Sequence, residues 1–413
     1  MTQLCVAHVS DSHIGFRQYA AQSLTGRNAR EQDFLAAFRN VVVDIQRWDP
    51  PLVIHSGDVF DAPVVSILSQ KLFQQCLIDL TKRPDGSRRI VVVISGNHDQ
   101  PADPREPAAI ELCSFIPGVH IVTSNYEQID LSDDVANLGV DPILQNVIVH
   151  ALPHDQLKVV DMENVRPVLN RVNIFNFHGT VGGTDLYKRS KGREYSLPAD
   201  VLARGWHYAA AGHWHKRGPI AVSSLTESTT PAWYAGSSEN NGFGDTLGND
   251  GSSGKGYLQV YIEPTIEPTV PKVVGVDLPI RPMYTLPSID AKSKTMSELE
   301  KDLVTAASNP SLTSAVVRQF IDNLSRSDWA LLDQDKIQKA AKHTLHYEAI
   351  PLYDLNNTNE VGINSITAYT NLHTAVDEAA KALYEQSDDL ETVLQLSHQL
   401  LDEQLKQAPT SEE

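Results

Sequence analysis

Five short groups of Asp, Asn and His recur in the first half of this chain, nearly all where a hydrophobic run stops. They are Asp11-Ser12-His13, Gly57-Asp58-Val59-Phe60-Asp61, Gly96-Asn97-His98-Asp99, Phe177-His178-Gly179 and Gly212-His213-Trp214-His215. These side chains offer nitrogen and oxygen donors without a thiolate, a set that suits Mn, Zn or Fe better than a calcium cage. Two divalent ions held about 3.5–4 Å apart can activate a water and stabilise both oxygens of an in-line displacement at phosphorus. Such a pair needs donors for each ion and a carboxylate between them. Asp11 and His13, separated by Ser12, can reach one ion from a strand-end loop. Asp58 ends the second run and is the natural bridge, and Asn97 offers a neutral carbonyl oxygen that limits the total negative charge. His178, His213 and His215 complete the two shells. Mixed nitrogen and oxygen ligation with room for a substrate favours a catalytic site over a closed structural one.

The elements that must position these donors are short. Leu4 to Val9, Leu52 to Ile54, Ile90 to Ile94, Val172 to Phe177 and Tyr208 to Ala211 read as buried strands. In an open α/β sheet, ligand sites form beyond the carboxyl ends of the strands, so five such ends aim their donors at one place. Helices are expected at Arg30 to Trp48 and Val64 to Lys82. In the first, Phe34, Phe38, Val41, Val42 and Ile45 fall on one face at helical spacing. The alternation predicts a βαβ-type layered domain. His8 and His55 belong to strand interiors and read as core or supporting groups, not as donors. His120, His150, His154 and His207 receive no role.

After Trp206 the pattern turns to strands at His207 to Ala211, Trp233 to Ala235, Gly256 to Glu263 and Lys272 to Val276. The Gly-, Asn- and Ser-rich stretch Asn240 to Lys255 reads as a mobile surface loop. A Pro-rich passage from Glu263 to Arg281 marks a boundary, giving a first domain at 1–278 and a small α+β domain at 279–355. Within the second, strands are expected at Pro282 to Leu286, Ala315 to Ile321 and Thr344 to Ile350. Helices are expected from Ser297, with a capping box to Glu300, and from Asp328 to Lys342. A polar linker at 356–371 precedes a helical tail at 372–413, where Leu390, Val393, Leu394, Leu401 and Leu405 form an apolar stripe interrupted by Ser397.

Composition narrows the class. The 41% hydrophobic and 21% charged content is that of a soluble globular protein, and no run approaches the roughly 20 apolar residues of a membrane helix. Cys5, Cys76 and Cys113 are odd in number and lack CxxC spacing, so buried thiols in a reducing compartment are expected. The N-terminus runs into a strand without a signal peptide's basic and apolar regions, so the expected location is cytoplasmic. A net charge of -18 excludes a generally basic nucleic-acid surface, though a metal site carries its own positive charge.

The series DxH, GDxxD, GNHD, a His before Gly, and GHxH resembles the calcineurin-like metallophosphoesterase superfamily. Ile14 to Tyr19, His55 to Asp61 and Tyr234-Ala235-Gly236-Ser237 narrow the resemblance to the SbcD/meiotic-recombination nucleases that repair DNA double-strand breaks. The resemblance implies an α/β fold, a four-layer α-β-β-α sandwich, with a small capping domain and a C-terminal helical tail. It implies two Mn2+, with Mg2+, Zn2+ or Fe as alternatives: Asp11, His13, Asp58 and His215 on one ion, and Asp58, Asn97, His178 and His213 on the other. His98 would then contact the scissile phosphate or protonate the leaving oxygen, with Asp99 orienting it, as a carboxylate orients an imidazole.

Phosphoprotein phosphatases share the metal motifs but follow the second with an Arg that grips a monoester. Here Asp61-Ala62-Pro63 follows, and Asp99 stands where those enzymes have Glu, which favours a diester. Arg17, Arg27 and Arg30, and Lys188, Arg189, Lys191 and Arg193, form two local basic clusters that fit a DNA backbone. The resemblance implies 3′-to-5′ exonuclease and single-strand or hairpin endonuclease activity. It also implies homodimerisation through the helices after the first two motifs, and an SbcC-type coiled-coil ATPase partner docked on the tail helix Asp388 to Lys406. The alternatives are a phosphodiesterase or phosphatase on small molecules or nucleotides, and a non-catalytic scaffold that binds DNA ends.

Overall fold

The computed structural model describes residues 3–23, 26–103, 105–184, 195–222, 231–245 and 254–353, together with Leu394. Two mixed six-stranded sheets dominate it. The first runs in the order Lys272–Asp277, Gly256–Ile262, Leu4–Val9, Leu52–Ser56, Ile90–Ile94, Val119–Val122. The second runs Gly218–Pro219, Ala232–Tyr234, Tyr208–Gly212, Val172–His178, Val147–Leu152, Glu127–Asp130. In the first, Leu4–Val9, Leu52–Ser56 and Ile90–Ile94 pair in parallel; in the second, Val172–His178 and Tyr208–Gly212 do the same.

The strands are apolar on both faces because each face meets a different layer. Leu4, Val6, Leu52, Ile54, Ile90, Val92 and Ile94 point between the sheets, where they meet Val149, Ile174 and Ala210. The alternate residues Ala7, Val9, Val53, Val91 and Val93 pack under the helices Ala29–Trp48 and Ile67–Leu80 through Phe38, Val41, Ile45, Phe73 and Leu77. On the far side, Phe175, Phe177, Ala209 and Ala211 are covered by Leu157, Val201 and Leu202, from short helical turns, and by Trp206. Period-two alternation on strands buried twice thus builds the four-layer α-β-β-α sandwich.

The first helix opens at Asn28, whose side chain accepts from the Glu31 N–H at 3.2 Å. The second opens at Ser66, later than the expected Val64. Val64 is 92% exposed, so it has no apolar face to contribute there. His8 is a tie between the sheets, as expected of a core histidine. Its ring nitrogens lie 2.8 Å from the Tyr208 hydroxyl and 3.0 Å from Ser56 Oγ, and burial lowers its pKa to about 3.

Residues 283–353 form a separate three-stranded parallel sheet, Met283–Asp290, Val316–Leu324 and His346–Tyr353. It has its own core of Leu299, Leu303, Val317, Ile321 and Ile337. Two helix boundaries differ from expectation. Thr295, not Ser297, caps the helix Met296–Ala307, in a box with Glu298. Two overlapping boxes were available, and the earlier start puts Leu299, Leu303 and Ala307 on the buried stripe. The helix expected at Asp328 to Lys342 is two short ones, Arg326–Leu331 and Gln334–Ala340, capped by Ser325 and Asp333. The linker at 356–371 and the tail at 372–413 lie outside the described residues except for Leu394, as does the middle of the Gly-rich stretch. Among the described residues no helix is long and apolar enough to cross a membrane.

Ile54 is fully buried between the two sheets. Ile54→Ala should therefore lower unfolding stability by about 2–5 kcal/mol, read as a lower urea midpoint without change of slope.

Candidate metal centre

The five donor-bearing strand ends converge. Leu52–Ser56 and Ile90–Ile94 deliver Asp58 and Asn97 from one sheet, and Val172–His178 and Tyr208–Gly212 deliver His178, His213 and His215 from the other. Three glycines permit the approach. A Cβ on Gly96 would lie 2.1 Å from Asp58 Oδ1, one on Gly57 2.5 Å from His178 Nδ1, and one on Gly212 2.0 Å from the Ser56 carbonyl oxygen. The donors themselves sit in unusual backbone: Asp11, His13, Asp58 and His213 have φ of 50°, 41°, 52° and 101°. Left-handed backbone at non-glycine residues is costly, and it is held here by cross-loop hydrogen bonds. Asp11 N–H donates to Gly57 O at 3.0 Å, His13 N–H to Asp58 O at 3.1 Å, and His213 N–H to Asp11 Oδ1 at 2.9 Å.

Donor spacing fits metal coordination. Two ligands bound to one ion at about 2.1 Å each stand roughly 3.0–3.5 Å apart. His13 Nε2 and His215 Nε2 face each other at 3.1 Å. Asn97 Oδ1 lies 3.1 Å from both His178 Nε2 and His213 Nδ1. Asp58 Oδ2 stands between the two groups, 3.4 Å from His178 Nε2 and 3.7 Å from His13 Nε2. Asp11 joins both neighbourhoods, with His13 and His215 on one side and Asp58 and His178 on the other. These His and Asp clusters are therefore compatible with divalent-metal binding.

Hydrogen bonds to the outer ring nitrogens aim the inner ones. His178 Nδ1 lies 2.7 Å from the Ser56 carbonyl, which can only accept, so Nδ1 carries the hydrogen and Nε2 faces the site. His13 Nδ1 is 3.2 Å from Asp61 Oδ1, although the angle makes no hydrogen bond. Burial works against a charged His178, but Asp58 outweighs it and raises its pKa to about 9. Burial likewise opposes the Asp58 carboxylate, yet His178 and His13 hold its pKa well below the usual range.

His98 stands beside His13 with its ring centroid 4.8 Å away. Its orientation comes from a source the sequence did not indicate. Asp99 does not touch the ring: it is 1% exposed, and its carboxylate accepts the N–H groups of Gly96, Phe60 and Val59 at 2.9, 2.9 and 3.2 Å. His98 Nδ1 instead donates to the Asp61 carbonyl at 2.8 Å, which leaves Nε2 free, while its N–H donates to Asp58 Oδ1 at 2.9 Å. The expectation that Asp99 orients His98 is corrected accordingly: its carboxylate is taken up by backbone N–H groups, and the Asp61 carbonyl holds the ring.

The basic clusters fare unevenly. Arg30 is fully buried and pairs with Asp33 at 2.8 Å and Glu239 at 3.5 Å, so it is not a DNA contact. Arg17 is 61% exposed but pairs with Glu31 at 2.9 Å, and Arg27 is exposed. Lys188, Arg189, Lys191 and Arg193 lie outside the described residues. Sequence reasoning passed over His154, whose Nδ1 donates to the His178 carbonyl at 3.3 Å and whose ring lies 5.7 Å from that of His213. It also passed over Asp245, 3.2 Å from His215 Nδ1. Neither has a motif to reveal it.

The calcineurin-like phosphoesterase family matches residues 5–217, which span every donor above. The chain belongs to that family. Among individual proteins, it is similar to the DNA double-strand break repair protein Mre11 of Methanococcus maripaludis, 24% identical over 233 residues and covering 56% of each chain. The Mre11 of Thermoplasma acidophilum is 36% identical over 115 residues, 28% of this chain and 27% of its own. The SbcD component of nuclease SbcCD from Bacillus subtilis is 26% identical over 257 residues, 56% of this chain and 61% of its own. The longer of these matches span little more than half the length of the relatives.

Two outcomes are expected of the centre. Gly96→Ala should push Asp58 from its place and weaken Mn2+ binding by about tenfold or more, measured by calorimetry on metal-stripped protein. Because His178 holds a proton up to about pH 9, an incoming ion must displace it. Apparent affinity should therefore fall as pH drops from 9 to 7, by up to about tenfold per unit from this group. Calorimetry in buffers of different ionisation enthalpy would read the released proton.

Proposed function

We propose that the chain is a metal-dependent DNA nuclease that hydrolyses phosphodiesters during the processing and repair of DNA ends. The observation that carries this is the pair of donor groups joined at Asp58, with His98 beside them and its Nε2 free. Asp11, His13, Asp58 and His215 would hold one ion, and Asp58, Asn97, His178 and His213 the other, with Mn2+ favoured over Mg2+, Zn2+ or Fe. When bound, the ions supply Lewis acidity to the phosphoryl oxygens and lower the pKa of water. His98, aimed by the Asp61 carbonyl, contacts the scissile phosphate or, when its ring carries a hydrogen on both nitrogens, delivers the Nε2 proton to the leaving oxygen. Asp99 is a structural brace in this scheme, holding the loops of Asp58 and His98 together.

A diester is favoured over a monoester because Asp61-Ala62-Pro63 provides no arginine after the second motif. DNA is favoured over a small diester by the likeness to Mre11 and SbcD, whose names state break-repair and nuclease roles. The activities proposed are 3′-to-5′ exonuclease on duplex ends and endonuclease on single strands and hairpins. The partner would be an SbcC-type coiled-coil ATPase docked on the C-terminal segment 388–406. A homodimer through the first two helices is supported by a groove of about 480 Å³ between them, lined by Arg27, Leu35, Arg39, Leu68 and Leu72, with Ile67 76% exposed nearby. Two observations favour a second reading, a small-molecule phosphodiesterase: net charge is -18 and Arg30 is withdrawn into the interior.

Labelled linear duplex and hairpin DNA, incubated in Mn2+ with the protein alone and with its ATPase partner, separates these readings. Cutting by wild type with a loss of about 100-fold or more in His98→Leu is the expected outcome. Undiminished cutting by the variant would sink the role of His98. Turnover of bis(p-nitrophenyl) phosphate without any cutting of DNA would favour the small-molecule enzyme.

A further inference from the structure

His215 is held on two sides by the stretch that follows Tyr234. Its Nδ1 lies 3.2 Å from Asp245 Oδ2. A carboxylate only accepts, so Nδ1 carries the hydrogen and Nε2 turns its lone pair toward His13 Nε2. The same Asp245 oxygen accepts the Asn241 N–H at 2.9 Å. The His215 carbonyl accepts from Lys255 Nζ at 2.7 Å and from the Ser237 N–H at 3.1 Å. Lys255, its side chain 1% exposed, also donates to Ser237 Oγ at 2.7 Å and stands 3.9 Å from Asp245 Oδ2.

Asp245 closes a single helical turn, Phe243–Asp245. The first residue of that turn is gripped by the three-stranded unit. The Arg318 guanidinium lies 4.3 Å from the centre of the Phe243 ring and 5.2 Å from that of Phe320. Its Nε donates to Thr285 Oγ1 at 2.8 Å, so the guanidinium is fixed before it meets Phe243. A guanidinium over an aromatic face is attractive and directional. One residue, Gly244, therefore separates a contact made by one folded unit from a carboxylate that aims a donor in the other.

We propose that Asp245 is the positioning residue for His215, and that the three-stranded unit sets Asp245 in place through the Arg318–Phe243 contact. An imidazole without its carboxylate is free to rotate and to carry its hydrogen on the inner nitrogen, where it no longer ligates. Moving Arg318 shifts the turn and so loosens the same ring. The seat of the small unit thereby tunes the ion that His215 would share with Asp11, His13 and Asp58. This rests on the two-ion reading above, but not on DNA being the substrate.

Calorimetric titration of metal-stripped full-length protein with Mn2+ tests it. Asp245→Asn keeps the size of the side chain and should weaken binding at one site by about 10- to 100-fold, with Asp245→Glu recovering part of the loss. Arg318→Ala should weaken it by at least about twofold, and should add nothing further in the Asp245→Asn background. Arg326→Ala, which removes a similar stack on Tyr353, should leave Mn2+ affinity unchanged. Thermal melting measured alongside separates lost affinity from lost folding. Wild-type affinity in a folded Asp245→Asn protein would overturn the positioning role, and additive losses in the double variant would overturn the relay. Wild type that takes up no Mn2+ would remove both this inference and the two-ion reading. Wild type that binds Mn2+ yet leaves DNA intact would overturn the nuclease reading alone.

Discussion

The Asp99 carboxylate, buried and accepting three backbone N–H groups, sets the distance between the loop that carries Asp58 and the loop that carries Asn97 and His98. Those loops follow neighbouring parallel strands, and nothing in strand pairing alone dictates how their tips meet. Three N–H donors converging on one carboxyl group give a tight, directional lock. The lock works only because residue 96 lacks a side chain: the space a Cβ would occupy is taken by Asp58 Oδ1. Burial and the nearby Asp58 carboxylate push the Asp99 pKa up to about 7, against the backbone donors. The loops are thus assembled around a carboxylate spent on backbone N–H groups.

Strain is the cost of that assembly. Four donor residues adopt left-handed backbone, at about 1–3 kcal/mol each. Such backbone persists only where surroundings over-determine it. Here the twofold-buried strands provide rigid ends, and the loops bond to one another more than to themselves. The outcome is a set of nitrogen and oxygen atoms already at ligating distances, so little reorganisation remains for ion binding.

Electrostatics divides along the same lines. The chain is strongly acidic, and the arginine that stands closest in sequence to the first helix start, Arg30, is consumed inside by Asp33 and Glu239. Arg281 adds a second cation to Asp33. This cluster joins the first helix, the Gly-rich segment and the entry to the three-stranded unit. It is architecture, and it spends Arg30 inside the fold.

Much of the site was legible in the sequence. Apolar runs ending in Asp, Asn or His declare both the strands and the donors, because strand burial and donor type are local properties of the chain. The doubly buried pattern, with Val91 and Val92 facing opposite cores, declared the layered fold for the same reason. What the tertiary structure decided was direction. Whether Asp99 meets His98 or the Val59 and Phe60 amides depends on the curl of one loop, and spacing does not encode it. Arg30 looks like a free cation until Glu239, far along the chain, arrives beside it. Asp245 lies in a stretch whose composition reads only as loop, and it becomes a partner of His215 only in the folded chain. Each of these contacts joins residues whose proximity is made by folding, so no local pattern could carry it.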